Sequence, residues 1–443
     1  MTGGTVAEFV GSALARLGVG HAFGVVGSGN FHVTNALRAA GVPFVAARHE
    51  GGAATMADAW ARTAGRPAVL TVHQGCGLTN AMTGIAEAAK SRTPLLVLAA
   101  DTGAAAVRSN FRIDQDMLVR AVGGKAERVH TPASAAADIV RAYRTAVEQR
   151  RTVVLNLPLD VQAAPAPDGP RPAVPQRPHG QRAAPADQQV GVPDQLGAHH
   201  PVALGVLGDT AEAAAAVTGL VPPATGYRSP ALADRLAAEV RWRDVPYTDE
   251  SDGELIDPRT LSIALDDALP AERVVAVDSG NFMGYPSAYL SVPDEAGFCF
   301  TQAFQSIGLG LATAVGAALA RPDRLPVAAL GDGGALMAAA ELDTVVRLGL
   351  PMVIVVYDDS AYGAEVYHFG PDGYPLDPVL FPETDIAAIG RGFGCAGLTV
   401  RRPEDLAGLA EWLAGPRDRP ILVDAKVTRR RGAWWLEEAF RGH

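Results

Sequence analysis

A chain of 443 residues exceeds what one hydrophobic core usually holds, so two or three domains are expected. It is 48% hydrophobic, 19% charged and 6% aromatic, an α/β-type composition that excludes global disorder. Lys and Arg total 38 against 48 Asp and Glu, and the formal charge of −10 argues against non-specific nucleic-acid binding. Cys76, Cys299 and Cys395 form no CxxC pair, so neither a disulfide framework nor a zinc module is expected, and a reducing compartment fits. The opening MTGGTVAEFVGSALARLG lacks the basic flank and apolar run of a signal peptide. No segment reaches the roughly 18 apolar residues of a membrane span, so a soluble cytoplasmic protein without a membrane partner is expected.

In chain order, HAFGVV, PFVAA, AVLTV, PLLVLA and TVVLNL are short β-rich runs separated by Ala-rich helical stretches. That alternation predicts a parallel sheet covered by helices over residues 1–162. Residues 163–254 begin with a proline-rich linker and then hold one strand-like run, VALGVLG, and two helical segments, TAEAAAAVTG and PALADRLAAEV. This is a reduced middle region whose last 54 residues, 201–254, can barely sustain a core of their own, so a small appendage packed on a neighbour is expected. The βα rhythm returns over 255–443 with VVAVD, PVAALGD, MVIVVYD and PILVDAK. The fold class is therefore α/β, with two doubly wound parallel-sheet domains joined by that middle region.

Local chemistry is densest at Gly331-Asp332-Gly333-Gly334, between the strand RLPVAAL and the helical run ALMAAAELDTVVRLG. Glycines at a strand–helix turn let backbone N–H groups approach an anion, and the helix start adds positive potential. The next strand ends in Asp358-Asp359, so Asp332 and Asp359 are 27 residues apart, about one strand–helix–strand unit. Both carboxylates then lie at the C-terminal edge of neighbouring strands, where such sheets bind ligands. Two acids beside an anion site suit Mg²⁺ bridging to a diphosphate. The same residues would also serve as a helix cap and a polar turn.

GDGG followed by DDSAYG resembles the magnesium–thiamine diphosphate motif of the thiamine-dependent enzymes. VPFVAARHEGGAATMADAWAR resembles the segment carrying their cofactor-activating glutamate, and FGVVGSGN and VHQGCGLTNAM resemble turns of the same domain. VDSGNF and TQAFQSIGLGLATAVGAA resemble the diphosphate and thiazolium segments, and the order is kept along the chain. Within the family the likeness is to the acetolactate synthase and benzoylformate decarboxylase branch.

The resemblance implies two cofactors, thiamine diphosphate and Mg²⁺, with Asp332, Asp359 and the Ala361 carbonyl as metal ligands. Gly280, Asn281, Gly331, Gly333, Gly334 and Tyr362 fall on the diphosphate side. Gln305 and Ile307 fall near the aminopyrimidine and at the prop that bends the cofactor. Glu50 stands where a carboxyl, hydrogen-bonded to the aminopyrimidine, favours the tautomer that deprotonates thiazolium C2. Asp358-Asp359 replaces the family's usual Asn-Asn, which implies a more pH-dependent metal affinity. The middle region is too short for the flavin-holding domain of some relatives, so FAD is not expected.

Ser28 and His73 stand where benzoylformate decarboxylase carries a serine and a histidine, with Gln74 beside them. Glu365 falls where pyruvate decarboxylase has a proton-handling glutamate, and His368 follows one helical turn later. His73, Glu365 and His368 are thus candidates for moving protons when a C–C bond next to a carbonyl breaks. Arg112 stands where acetolactate synthase has a glutamine and suits a substrate carboxylate. The expected reaction is 2-oxo acid decarboxylation, with or without ligation to an aldehyde or ketone, in a homodimer or homotetramer. An acetolactate-synthase-like carboligase or a C–C hydrolase is the alternative, and a catalytically idle partner subunit the alternative of another class. A dinucleotide fold reading Gly24, Gly27 and Gly29 is disfavoured, because no acidic residue ends a strand about 20 positions on.

Overall fold

The structure, a computed structural model, describes residues 4–167, 210–223, 226–433 and 435–436. Two six-stranded sheets organise it. The first contains β1 (His21–Gly24), β2 (Phe44–Ala46), β3 (Ala68–Val72), β4 (Leu95–Asp101), β5 (Lys125–Arg128) and β6 (Thr152–Pro158). The second contains β7 (Arg273–Val277), β8 (Phe298–Phe300), β9 (Leu325–Gly331), β10 (Val353–Asp358), β11 (Ala396–Val400) and β12 (Ile421–Lys426). Strand order is β2-β1-β3-β4-β6-β5 in one and β11-β12-β10-β9-β7-β8 in the other. Read from its other edge, the second order repeats the first strand for strand. Every neighbouring pair runs parallel. The expected pair of doubly wound sheets is what the chain forms.

The central strands are buried along their whole length, which explains their unbroken Val, Leu, Ile and Ala runs. Strands β5, β8 and β11 were not predicted. All three are edge strands, and KAER, FCF and AGLTV lack a fully buried run. The run ALMAAAELDTVVRLG, expected as one helix, is two: Asp332–Met337 and Glu341–Arg347. Tight turns at Ala339 and Glu341, whose N–H groups bond the carbonyls of Leu336 and Ala338, separate them.

The middle helices Thr210–Leu220 and Pro230–Glu239 form where expected, and the second buries no residue. The strand-like VALGVLG and His179, His199 and His200, to which no chemistry was assigned, lie outside the described residues.

The two α/β domains pack through helix Glu50–Ala64 against helix Gly310–Ala320. Met56, Trp60 and Ile85 share one hydrophobic cluster with Leu311, Val315 and Leu342. A Cβ on Gly316 would lie 2.3 Å from the Met56 carbonyl oxygen, so glycine sets how closely these helices approach. Polar contacts fix the pairing. Buried Glu87 accepts the N–H groups of Ala303 (3.2 Å) and Phe304 (2.7 Å). Glu341 Oε1 accepts those of Arg48 (3.1 Å) and His49 (3.0 Å), at the start of the helix that Glu50 opens.

Candidate active site

In each sheet the chain leaves in opposite directions from one pair of strands, β1/β3 in the first and β7/β9 in the second. Such switch points open a crevice at the C-terminal strand ends. Most of the sequence-predicted residues gather at these two crevices; Arg112 does not.

At β7/β9, one cavity is walled by Gly280, Asn281, Ile307, Asp332, Asp359 and Glu365, among others. Gly331, Gly333, Gly334, Ala361 and Tyr362 complete the predicted set around it. Burial, with the charges of Asp359 and Asp358 adding, pushes the Asp332 carboxyl up to about 7. Burial also raises Asp359 to about 7, against the opposing effect of the Ala361 amide, which donates to Asp359 Oδ1 at 3.2 Å. Two glycines here leave no room for a side chain. A Cβ on Gly363 would lie 2.4 Å from Asp359 Oδ2, and one on Gly334 would lie 2.3 Å from Asp278 Oδ2.

These residues fit a divalent cation with an anionic ligand. Neither Asp332 nor Asp359 forms an ion pair among the described residues. Asn281 Oδ1 is buried without a hydrogen-bond partner beside them. No group of three or more His, Cys, Asp or Glu side chains converges as a metal cage among the described residues. Mg²⁺ does not need one, because it takes one or two carboxylates and completes its shell with phosphate oxygens and water. Asp358, the other half of the Asp-Asp pair, is held by Lys426 Nζ at 2.6 Å.

Ile307 is 44% exposed and lines this cavity, so it is no core residue. Gln305 has a left-handed φ of +61° on the exposed loop before it. Glu365 is exposed and His368 half-buried on the short helix Gly363–Phe369, where His368 meets the Phe369 ring edge-on at 4.6 Å.

At β1/β3, His73 Nε2 lies 3.4 Å from Ser28 Oγ, and His73 Nδ1 lies 2.9 Å from the Gln74 carbonyl. The Phe111 ring meets His73 edge-on at 4.8 Å. Glu50 is half-buried, and Asn80 Nδ2 donates to its Oε2 at 3.1 Å. A Cβ on Gly77 would contact both His73 Cβ (3.0 Å) and Glu50 Oε1 (3.5 Å), so this glycine brings the two side chains onto one site. Gln74 is buried against Gly29, and its Oε1 has no hydrogen-bond partner. Arg112 is exposed and lines a separate cleft of about 790 Å³ with Asp101, Arg128 and His130.

Sequence reasoning missed Asp278, Asn80, Glu341 and Lys426. Asp278 is fully buried at the end of β7 and accepts the N–H groups of Gly308 (2.9 Å) and Leu309 (3.3 Å), which fixes the Ile307 loop. Burial pushes its carboxyl up to about 6 despite those bonds. Its signal was a carboxylate ending an apolar strand in VVAVD.

The chain thus forms two doubly wound domains, one with a carboxylate pair at its switch crevice and the other with Glu50 and His73. Residues 4–119 match the thiamine pyrophosphate enzyme N-terminal TPP binding domain, and residues 278–425 match the corresponding C-terminal TPP binding domain. The chain belongs to the thiamine pyrophosphate enzyme family. It is 28% identical to a probable 2-ketoarginine decarboxylase of Pseudomonas aeruginosa over 89% of each chain. It is 24% identical to an acetolactate synthase of Bacillus subtilis, covering 95% of this chain and 93% of the relative. Benzoylformate decarboxylase of Pseudomonas aeruginosa is 26% identical over 86% of this chain and 91% of its own.

Proposed function

We propose that this protein is a thiamine diphosphate- and Mg²⁺-dependent 2-oxo acid decarboxylase that can also pass its product to an aldehyde or ketone acceptor. The observation that carries the reading is the pairing of Asp332 with Asp359, both pushed up to about 7, around the unpartnered Asn281 Oδ1 in a glycine-walled crevice. Buried acids of this kind are relieved by a cation. The names of two relatives, a 2-ketoarginine and a benzoylformate decarboxylase, support the substrate class.

In this reading Asp332, Asp359 and the Ala361 carbonyl hold Mg²⁺. Gly280, Asn281, Gly331, Gly333, Gly334 and Tyr362 receive the diphosphate, while Ile307 and Gln305 meet the rest of the cofactor. Bound there, thiamine diphosphate supplies the electron sink for cleavage next to a carbonyl. Glu50, oriented by Asn80, exchanges the proton that activates the cofactor. His73, with Ser28 beside it, and Glu365 with His368 handle the proton that replaces the lost carboxylate. Arg112 and Gln74 shape the approach of the acid. The two crevices belong to opposite domains, and the family resemblance puts them together from two copies of the chain, hence at least a homodimer.

Mass spectrometry of products from a panel of 2-oxo acids, with and without candidate aldehydes, tests the reaction. The expected products are CO₂ and the shortened aldehyde. A ligation product alone would favour the carboligase, and no product from any acid would remove the decarboxylase reading. Glu50→Gln should retain cofactor binding and lose about 10²–10⁴-fold in turnover. Unchanged turnover would take the proton-exchange role from Glu50.

A further inference from the structure

The turn that presents Asp359 and Ala361 bends at Ser360, whose φ is +52°. A left-handed non-glycine residue is strained and persists only where its surroundings hold it. Here the residues from the end of β12 onward do so. From beneath, Lys426 Nζ donates to Asp358 Oδ2 at 2.6 Å and to the Thr384 carbonyl at 2.7 Å. The other oxygen of Asp358 accepts Ser360 N–H at 2.9 Å and Ser360 Oγ at 3.1 Å, closing the turn over itself. Val427 N–H donates to the Asp358 carbonyl at 2.9 Å, which sets the two segments in register. From above, Arg429 Nη1 donates to the Asp359 carbonyl at 2.8 Å and the Ser360 carbonyl at 3.3 Å.

We infer that Arg429 is a positioning residue for the metal-binding loop. Its guanidinium contacts the carbonyls of Asp359 and Ser360, not the Asp332 or Asp359 carboxylates or the Ala361 carbonyl proposed as metal ligands. By clamping the two carbonyls on either side of the strained peptide, it holds the Asp359 carboxylate and the Ala361 carbonyl in place before the cation arrives. The inference rests on the reading of Asp332 and Asp359 as Mg²⁺ ligands. Arg429 is exposed, so its replacement removes the clamp without opening the core.

Charge acts in two directions here: a cation beside a metal site repels the metal, yet Arg429 also lowers the Asp359 carboxyl and so favours its ionised, metal-binding form. Amide exchange at Ser360 and Ala361 in the cofactor-free protein is the readout that charge alone does not move. Positioning predicts weaker binding, on the scale of about 10–100-fold known for outer-shell partners of metal ligands.

The test is calorimetric titration of Mg²⁺ into the full-length protein with saturating thiamine diphosphate, for wild type, Arg429→Met and Arg429→Lys. It is joined by hydrogen exchange of the Ser360 and Ala361 amides in the cofactor-free proteins. Arg429→Met should weaken Mg²⁺ about 10–100-fold and speed exchange at those amides about tenfold. Arg429→Lys, which keeps a donor within reach of both carbonyls, should recover most of each loss. Unchanged or tighter Mg²⁺ binding in Arg429→Met overturns the inference. If wild type itself takes up no Mg²⁺ with thiamine diphosphate, the functional reading fails, and exchange decides the clamp: wild-type rates in Arg429→Met overturn it as well.

Discussion

A carboxylate raised to about 7 couples the state of the site to the stability of the molecule. Asp332 has an ordinary value of 3.8 and is held at about 7 in the folded, cofactor-free chain. Between those values the folded state binds more protons than the unfolded state, so this residue's contribution falls as pH rises from about 4 to 7. Asp332→Asn does not titrate. The cofactor-free variant should therefore gain stability over wild type across that window, by about 1–3 kcal/mol at pH 8 after allowing for partial solvation and for Asp359. Urea unfolding at pH 5 and pH 8 checks this, and a difference that does not change with pH removes the buried-charge account. Of the residues proposed to carry the chemistry, Asp332 and Asp359 were legible because glycine spacing and strand ends mark them locally, whereas Glu50 and His73 were legible only through the family resemblance. Their supports were not. Glu341 meets Arg48 across 293 positions, and Lys426 meets Asp358 across 68, distances over which no pattern in the chain reports a partner.

Among the elements, the break between helices Asp332–Met337 and Glu341–Arg347 has the clearest use. It turns Glu341 toward the N–H groups of Arg48 and His49 at the start of helix Glu50–Ala64. Glu341 is buried, and the positive end of that helix offsets its charge. Glu341→Ala leaves three donors, the Arg48 and His49 amides and the Thr344 hydroxyl, without this acceptor and should cost about 2–4 kcal/mol, whereas Glu341→Gln keeps one acceptor and should cost less. Denaturant midpoints for both variants check the ranking, and equal midpoints would mean that water takes over the site. The helix break was illegible because ALMAAAELDTVVRLG has strong helix formers throughout, and a contact in another domain decides it. Central strands were legible because burial on both faces demands continuous apolar runs, which β3, β4 and β10 have.

For the whole molecule, the repeated strand order places one switch crevice in each domain. No helix among the described residues is long and apolar enough to cross a membrane. If a complete site needs two copies, Glu50→Ala and Asp332→Ala chains should each be inactive alone. Mixed after subunit exchange, they should recover a fraction of wild-type activity, because one of the two sites in a heterodimer is then intact. Absence of recovery with exchange shown by mass spectrometry would mean that a site is completed within one chain.

Among the described residues, the two open sheets also end in four rims, at β2, β5, β8 and β11. Each rim is a row of unpaired backbone donors and acceptors on which a strand of another chain could grow a fibre. Here the rims are only three, four, three and five residues long. The KAER rim also carries Lys125, Glu127 and Arg128. A stray strand docking there would gain few ladder bonds and, at β5, would meet charge. The short, weakly apolar runs that hid β5, β8 and β11 from the sequence reading also make them poor templates for another strand.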